Sequence, residues 1–119
     1  MSAAMSQAGI QPFHGDTIAV YKQTGRGWDL VFDAPLGFGH GLWAGSLGGA
    51  AAVIVGNRDG TKNLCCYRVS AASPFAMEEI VIDAGAATTN MTVVSLPGGQ
   101  AVIASNPEHS EYALYEVKA

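Results

Sequence analysis

Residues 46–57, SLGGAAAVIVGN, return 49 residues later as residues 95–106, SLPGGQAVIASN. Each copy has a glycine-containing turn, then a short apolar run closed by an asparagine. Glycine permits the positive φ angles of tight turns, and short apolar runs bounded by turn residues indicate strands. The repeated stretch therefore predicts two equivalent strands. Its period of 49 residues can be used to search for other repeated features along the chain.

Two further landmarks recur in the same order at nearly the same period. LVFDAP, which contains Asp33, returns as IVIDAG with Asp83, 50 residues later, and Tyr21, Tyr67 and Tyr115 follow one another at spacings of 46 and 48 residues. Helical periodicity is nearly absent, which indicates an all-β protein. Nine strands are predicted: TIAVYKQ, WDLVFDA, GLWAGSL, AAVIVGN, NLCCYRVS, EEIVIDA, NMTVVSL, QAVIASN and YALYEVK.

A period near 48 residues with about four strands per unit is typical of β-propeller blades. The phase predicts the third and fourth strands of one blade, a complete four-stranded antiparallel blade over about residues 40–86, and three strands of the next. We expect two to two and a half blades over residues 13–119, after a flexible segment at 1–12. Oligomerisation or a longer parent chain would have to complete such a ring. A compact sandwich or barrel is the alternative.

The stretch FGHGLWAGSLGGAAAVIVGN, followed by a strand ending in tyrosine, resembles the FG-GAP/VCBS-type propeller repeat. Over about residues 13–119 the chain is similar to the propeller portion of aldos-2-ulose dehydratase-like proteins. The resemblance implies blades of a ring that commonly has seven, in a group that includes carbohydrate-active enzymes and adhesion modules. Many such repeats hold Ca²⁺ in Asp-rich loops, but the matching loops here, residues 46–50 and 95–99, contain no carboxylate. We therefore expect no Ca²⁺ in them.

Composition excludes several classes of partner. The net charge is −4 and no basic cluster occurs, which argues against nucleic-acid binding. No apolar run approaches the length of a transmembrane helix, and the N-terminus lacks the pattern of a signal peptide, so we expect a cytoplasmic protein that binds no membrane. Cys65 and Cys66 are adjacent, so on a strand they should point to opposite faces as reduced apolar side chains, which mildly favours a reducing compartment.

The candidate ligand-binding residues are His40, Trp43 and Asn90. His40 enters a predicted innermost strand near the mouth of the central channel, where an imidazole could act as an acid or base or bind a sugar hydroxyl; a structural role is the alternative. Its repeat equivalent falls near Thr89 and Asn90, so the position stays polar. Trp43 lies on the same strand and could stack on a sugar or pack between blades.

No catalytic set or cofactor motif accompanies these residues. The glycines of residues 37–45 do not form a nucleotide-binding pattern, and no G-x-S-x-G elbow or marked carboxylate pair occurs. The spacing of His14, His40 and His109 matches no common metal motif, so we expect neither a metal nor a cofactor.

The low content of charged residues, 13%, suggests that a partner covers part of the surface. The sequence therefore favours a non-catalytic propeller module that binds a ligand or protein and assembles with itself or with a larger propeller partner. Two alternatives remain open. One is a fragment of a carbohydrate-active, lyase- or dehydratase-like propeller, and the other is a lectin built from two-blade units.

Overall fold

A computed structural model describes residues 16–70 and 77–118 of the chain. All nine predicted strands are confirmed within these ranges, and one short 3₁₀ helix precedes the last strand. The predicted flexible segment 1–12 and His14 lie outside the described residues. The strands are β1 Thr17–Thr24, β2 Gly27–Pro35, β3 Gly39–Leu47, β4 Ala50–Asn57, β5 Leu64–Val69, β6 Met77–Asp83, β7 Asn90–Leu96, β8 Gly99–Asn106 and β9 Glu111–Val117.

The described strands form three antiparallel sheets and no closed barrel. Sheet I contains β1 and β2, sheet II contains β3 to β6 in chain order, and sheet III contains β7 to β9 in chain order. The grouping into two, four and three strands is the one that the phase of the repeat predicts. Within each sheet the strands pair in chain order, because short connections favour antiparallel meanders.

Turn chemistry explains how the repeated stretch folds back on itself. Gly48 and Gly49, between β3 and β4, both have positive φ angles, of 60° and 82°. Such angles at both central residues define the two-residue hairpin turn that matches the twist of the flanking strands. In the second copy Pro97 precedes Gly98, which has a φ of 85°. Both copies therefore start the second strand of their sheet from a tight turn.

Sheet II lies between the other two sheets, and its central strands β4 and β5 are buried on both faces. Ile54, Leu64 and Cys66 belong to a core cluster shared with sheet III. Their sequence neighbours Val55 and Cys65 belong to a second cluster shared with sheet I. The change of side at every residue is the period of a strand, so the prediction that the two cysteines point to opposite faces is confirmed. Both thiols are buried and free.

Residues at equivalent repeat positions face the same way in successive sheets. We call the face toward the preceding sheet the backward face and the other the forward face. Val55 on β4 faces sheet I, and its repeat equivalent Ala104 on β8 faces sheet II. Tyr67 and Tyr115 are likewise both on backward faces. The three sheets therefore stack in one direction.

Candidate functional site

His40 sits at an irregularity in the pairing of β3 with β4, between Gly39 and Gly41. Its Nδ1 lies 2.9 Å from the carbonyl oxygen of Thr89, the residue at its own repeat position. The ring of Phe38 meets the imidazole edge to face, with 6.4 Å between centroids. The contact with Thr89 ties the start of sheet II to the segment that leads into sheet III, and the side chain remains exposed.

This hydrogen bond decides which nitrogen of His40 is available to a ligand. A carbonyl oxygen can only accept, so Nδ1 must carry the proton. In the neutral ring Nε2 is then an acceptor, able to take a hydrogen bond from a hydroxyl or an amide. The arrangement is suited to binding a polar group.

A small cleft lies beside His40, between sheets I and II. It exists because the two strands of sheet I do not extend over β3, which leaves Leu42 largely exposed. The repeat equivalent of Leu42 is Met91, which is buried in the cluster between sheets II and III. The residues that line the cleft are Thr17, Ile18, Leu36, Gly39, His40, Gly41, Leu42 and Val55. It is an apolar cleft with a single imidazole.

Asn90 is adjacent in sequence to Thr89, the residue that His40 contacts, but it faces a different part of the surface. It follows Thr89 directly, and its Oδ1 accepts a hydrogen bond from the backbone N–H of Met91. Together with Ser105 and Tyr112 it lines a shallow depression on the forward face of sheet III. The structure therefore places His40 and Asn90 in separate clefts.

Trp43 is directed into the core between sheets II and III. It is half-buried and packs against the shared cluster of those sheets. Its indole ring also lies over Gly45, where an added Cβ would come within 2.6 Å of the ring atom Cζ2. This is the packing role that the sequence left open beside sugar stacking.

A polar network between sheets II and III centres on Tyr115, for which the sequence predicted no functional role. The hydroxyl of Tyr115 donates to Asp83 Oδ2 at 2.6 Å and accepts from Asn106 Nδ2 at 3.2 Å. The Oδ1 of Asn106 in turn accepts from the hydroxyl of Thr88 at 2.6 Å. Burial, and then the bond to the Asp83 carboxylate, raise the pKa of Tyr115 to about 12. The chain of bonds joins sheet II to sheet III.

Sequence signals for this network existed, since Asp83, Asn106 and Tyr115 are all repeat landmarks. Their recurrence sets the period of the repeat, but it does not indicate what their side chains contact. Asn57, the equivalent of Asn106, bonds the carbonyl of Asn63 through Nδ2. Within the described part of the chain its buried Oδ1 has no hydrogen-bond partner. The two asparagines thus share a position but not a set of partners.

Among the described residues, the cysteines and the carboxylates show no arrangement for covalent or metal chemistry. Burial raises the pKa of the Cys65 thiol to about 11, with a further contribution from Glu79. Burial also raises the pKa of Cys66. Raised values keep both sulfurs protonated at neutral pH, whereas a nucleophile needs the thiolate. Residues 16–70 and 77–118 contain no group of three or more His, Cys, Asp or Glu side chains that could hold a metal ion together.

Comparisons with family descriptions, with curated proteins and with solved structures each gave no match. Among the described residues there is no helix long and apolar enough to cross a membrane.

Proposed function

We propose that this chain is a non-catalytic β-propeller module, which acts by assembly through its two outermost sheet faces and by binding a partner or ligand near His40. The observation that carries the proposal is the common direction of the three sheets. The forward face of sheet I meets the backward face of sheet II, and the same relation holds between sheets II and III. Blades of a propeller follow one another in this manner around an axis.

The two outermost faces both expose apolar side chains, but one is a backward face and the other a forward face. On the backward face of sheet I, Tyr21 pairs with Leu30, and Trp28 beside them is 66% exposed. On the forward face of sheet III, Leu114 and Tyr112 are 57% and 85% exposed. Large apolar patches of this kind mark interaction surfaces. Since one face is backward and the other forward, contact between two copies would be head-to-tail, which closes into a ring when the rotation permits.

Internal packing supplies the template for that contact. Leu114 has the repeat position of Cys66, and Ile103 has that of Ile54. Cys66 and Ile54 are both buried against sheet III. Tyr21 has the position of Tyr67 and Tyr115, which face the preceding sheet. A second copy placed with sheet I on sheet III would reproduce a type of packing that the chain already uses twice.

The proposal is tested by placing a charge on one end face at a time. Leu114→Asp damages the forward face of sheet III, and Trp28→Asp damages the backward face of sheet I. We expect the unaltered chain to form an oligomer and each variant to be a monomer by size-exclusion chromatography with light scattering. Mixed together, the variants should form a one-to-one dimer that grows no further, because each retains the face that the other has lost.

A matched control uses Val81→Asp, which adds the same charge at an exposed apolar residue of sheet II. This variant should assemble as the unaltered chain does. Circular dichroism checks that all three variants remain folded. A monomeric unaltered chain, or two end-face variants that stay monomeric when mixed, would show that the outer faces do not mediate assembly.

The geometry of His40 favours a second candidate, the binding of a carbohydrate by the cleft between sheets I and II. Nε2 can accept a bond from a sugar hydroxyl, while Leu36 and Leu42 offer apolar surface to the carbon skeleton. Titration of monosaccharides followed by two-dimensional NMR should shift the amide signals around residues 39–42, and His40→Ala should abolish the shifts. Unchanged signals across the panel, or shifts that survive the substitution, would reject the site.

A further inference from the structure

The strands that carry the repeated tyrosine also carry a charged residue directly after it. Lys22 follows Tyr21, Arg68 follows Tyr67, and Glu116 follows Tyr115. The first two are cations and the third is an anion. The change of sign matters because the neighbouring strand carries a residue of opposite charge at the paired position.

Each cation lies opposite an acidic residue on the next strand, β2 in sheet I and β6 in sheet II. These two strands correspond to the fourth strand of a propeller blade, and we call them the fourth-type strands. Lys22 is paired in register with Asp29 on β2. Arg68 is paired in register with Glu78 on β6, and its Nη2 lies 2.9 Å from Glu78 Oε1. Opposite charges directly across an antiparallel pair stabilise it, and like charges destabilise it. The sheet edge next to β9 should therefore prefer a strand with a basic residue opposite Glu116.

One edge of β9 has no strand beside it among the described residues. In the described residues β9 pairs with β8 alone, so the backbone groups along its other edge are unpaired within the sheet. Unpaired edges of this kind template the addition of another strand. The four-stranded sheet II shows what the addition would look like, because there β6 lies beside β5 at the equivalent position.

A groove runs alongside this edge, between sheets II and III, and it is lined mainly by apolar side chains and also by Arg68 and Glu116. Ile80 and Ile82 of β6 form one wall, and Tyr115 and Val117 of β9 contribute to the other. In sheet II the corresponding strand fills the equivalent space, since Met77 of β6 packs against the cluster shared with sheet I. A strand added to β9 would place alternate apolar side chains against Ile80 and Ile82.

We propose that the free edge of β9 binds an extended peptide segment of a partner, antiparallel to β9, with alternating apolar residues and a Lys or Arg opposite Glu116. The site differs from the assembly proposed above in using a sheet edge and a groove between sheets, although Glu116 shares the forward face of sheet III with Leu114. A second copy of this chain is a poor donor of the strand. Its own fourth-type strands, β2 and β6, would set Asp29 or Glu78 against Glu116.

The experiment compares two peptides that differ by one charge. The first carries the β6 sequence of residues 77–83, MEEIVID, with a short Gly/Ser tail at each end and a fluorescein label. The second is identical except for Glu78→Lys, which places a cation opposite Glu116 in the register of sheet II. Fluorescence anisotropy with the full chain should give about fivefold tighter binding of the Lys peptide. Hydrogen exchange should slow at the amides of β9 when it binds.

The variant Glu116→Lys should invert the preference, so that the Glu peptide binds more tightly. Glu111→Lys, on the same strand at its other end, changes the net charge equally and should leave the preference as it was. Equal binding of both peptides, no binding of either, unaltered exchange at β9, or inversion by Glu111→Lys would overturn the proposal. The comparison of the two peptides on the unaltered chain and the assembly test with Leu114→Asp and Trp28→Asp have separate readouts, so the two proposals fail separately.

Discussion

Single residues hold sheets II and III in register. Tyr115 reaches from β9 to Asp83 at the end of β6 while receiving a bond from Asn106. A hydrogen bond to a charged group stabilises a fold more than a bond between neutral groups. The tyrosine at this repeat position therefore contributes both apolar packing and a polar tie between sheets.

Removal of the Tyr115 hydroxyl should measure this tie. We expect Tyr115→Phe to lower the free energy of unfolding by about 2 kcal/mol, because Asp83 and Asn106 each lose a partner. Urea denaturation measures the change. Tyr112→Phe on the same strand, with the side chain 85% exposed, is the control and should change the value by less than about 0.5 kcal/mol. Equal effects of the two substitutions would show that the hydroxyl of Tyr115 adds nothing.

The buried thiols and tyrosines make the fold sensitive to alkali. Burial raises the pKa of Cys65 from 9.0 to about 11 and that of Tyr115 from 10.0 to about 12. The folded state thus keeps protons that the unfolded state loses, so the contribution of these groups to stability is complete below about pH 9 and is lost as the pH rises toward 11 or 12.

The urea midpoint should therefore fall between about pH 8 and about pH 10.5. In the double variant Cys65→Ala, Cys66→Ala the fall over the same interval should be smaller, because two of the groups that titrate are gone. The quantity compared is the decrease in urea midpoint between the two pH values in each protein. A general loss of stability in the variant therefore does not affect the comparison. A fall as large as that of the unaltered chain would rule out the thiols as its source.

The candidate site was partly predictable at this scale. The repeat aligned His40 with Thr89, and the structure joins those two residues by a hydrogen bond. Neither the protonated nitrogen of His40 nor the separation of Asn90 into another cleft follows from spacing. Both depend on side-chain direction across two sheets, which a one-dimensional pattern does not contain.

Among the elements, β4 shows how closely the sheets approach. Gly56 near its end faces the segment that enters sheet III, and an added Cβ there would collide with the carbonyl oxygen of Thr88. Thr88 is itself fully buried and bonded to Asn106. The φ angle of Gly56 is not positive, so backbone conformation does not require a glycine here. The close approach of two backbones does.

Gly56→Ala should therefore destabilise the protein by about 3 kcal/mol, because backbone has to move to make room. The control is Gly25→Ala in the turn between β1 and β2, where an added Cβ meets nothing within 4 Å. Its effect should stay within about 0.5 kcal/mol. Thermal or urea unfolding of both variants provides the measurement, and a mild effect at Gly56 would mean that the two backbones are not in close contact.

Strand positions were predictable because they depend on local signals. Apolar runs, glycine turns and the repeat together located all nine strands, and the phase of the repeat predicted sheets of two, four and three strands. The same signals did not reveal that β5 is almost fully buried while β9, its equivalent, is half exposed. That difference depends on whether another sheet lies beside each strand.

Across the whole molecule, protection should decrease from the middle sheet outward. β4 and β5 are hydrogen-bonded on both sides and lie between two core clusters, whereas β2 has one paired edge and a mostly exposed pattern of side chains. An amide exchanges more slowly the larger the free energy of the local opening that exposes it.

Hydrogen exchange followed by mass spectrometry should therefore find β4 and β5 the slowest and β2 the fastest of the described strands. The unfolded chain under the same conditions supplies the intrinsic rates for comparison. Assembly through the end faces would slow β2 and β9 in a manner that depends on protein concentration. Uniform rates across the three sheets would contradict the central position of sheet II.

The sequence by itself determined the strands, the turns and the period that relates the sheets, because these depend on residues within a few positions of one another and on their recurrence. Tertiary structure alone decided which face of each sheet is covered, which cleft His40 lines and, within the described residues, which edge of β9 is paired. Period-two alternation assigns side chains to a common face, but which sheet covers that face depends on contacts between residues about 49 positions apart.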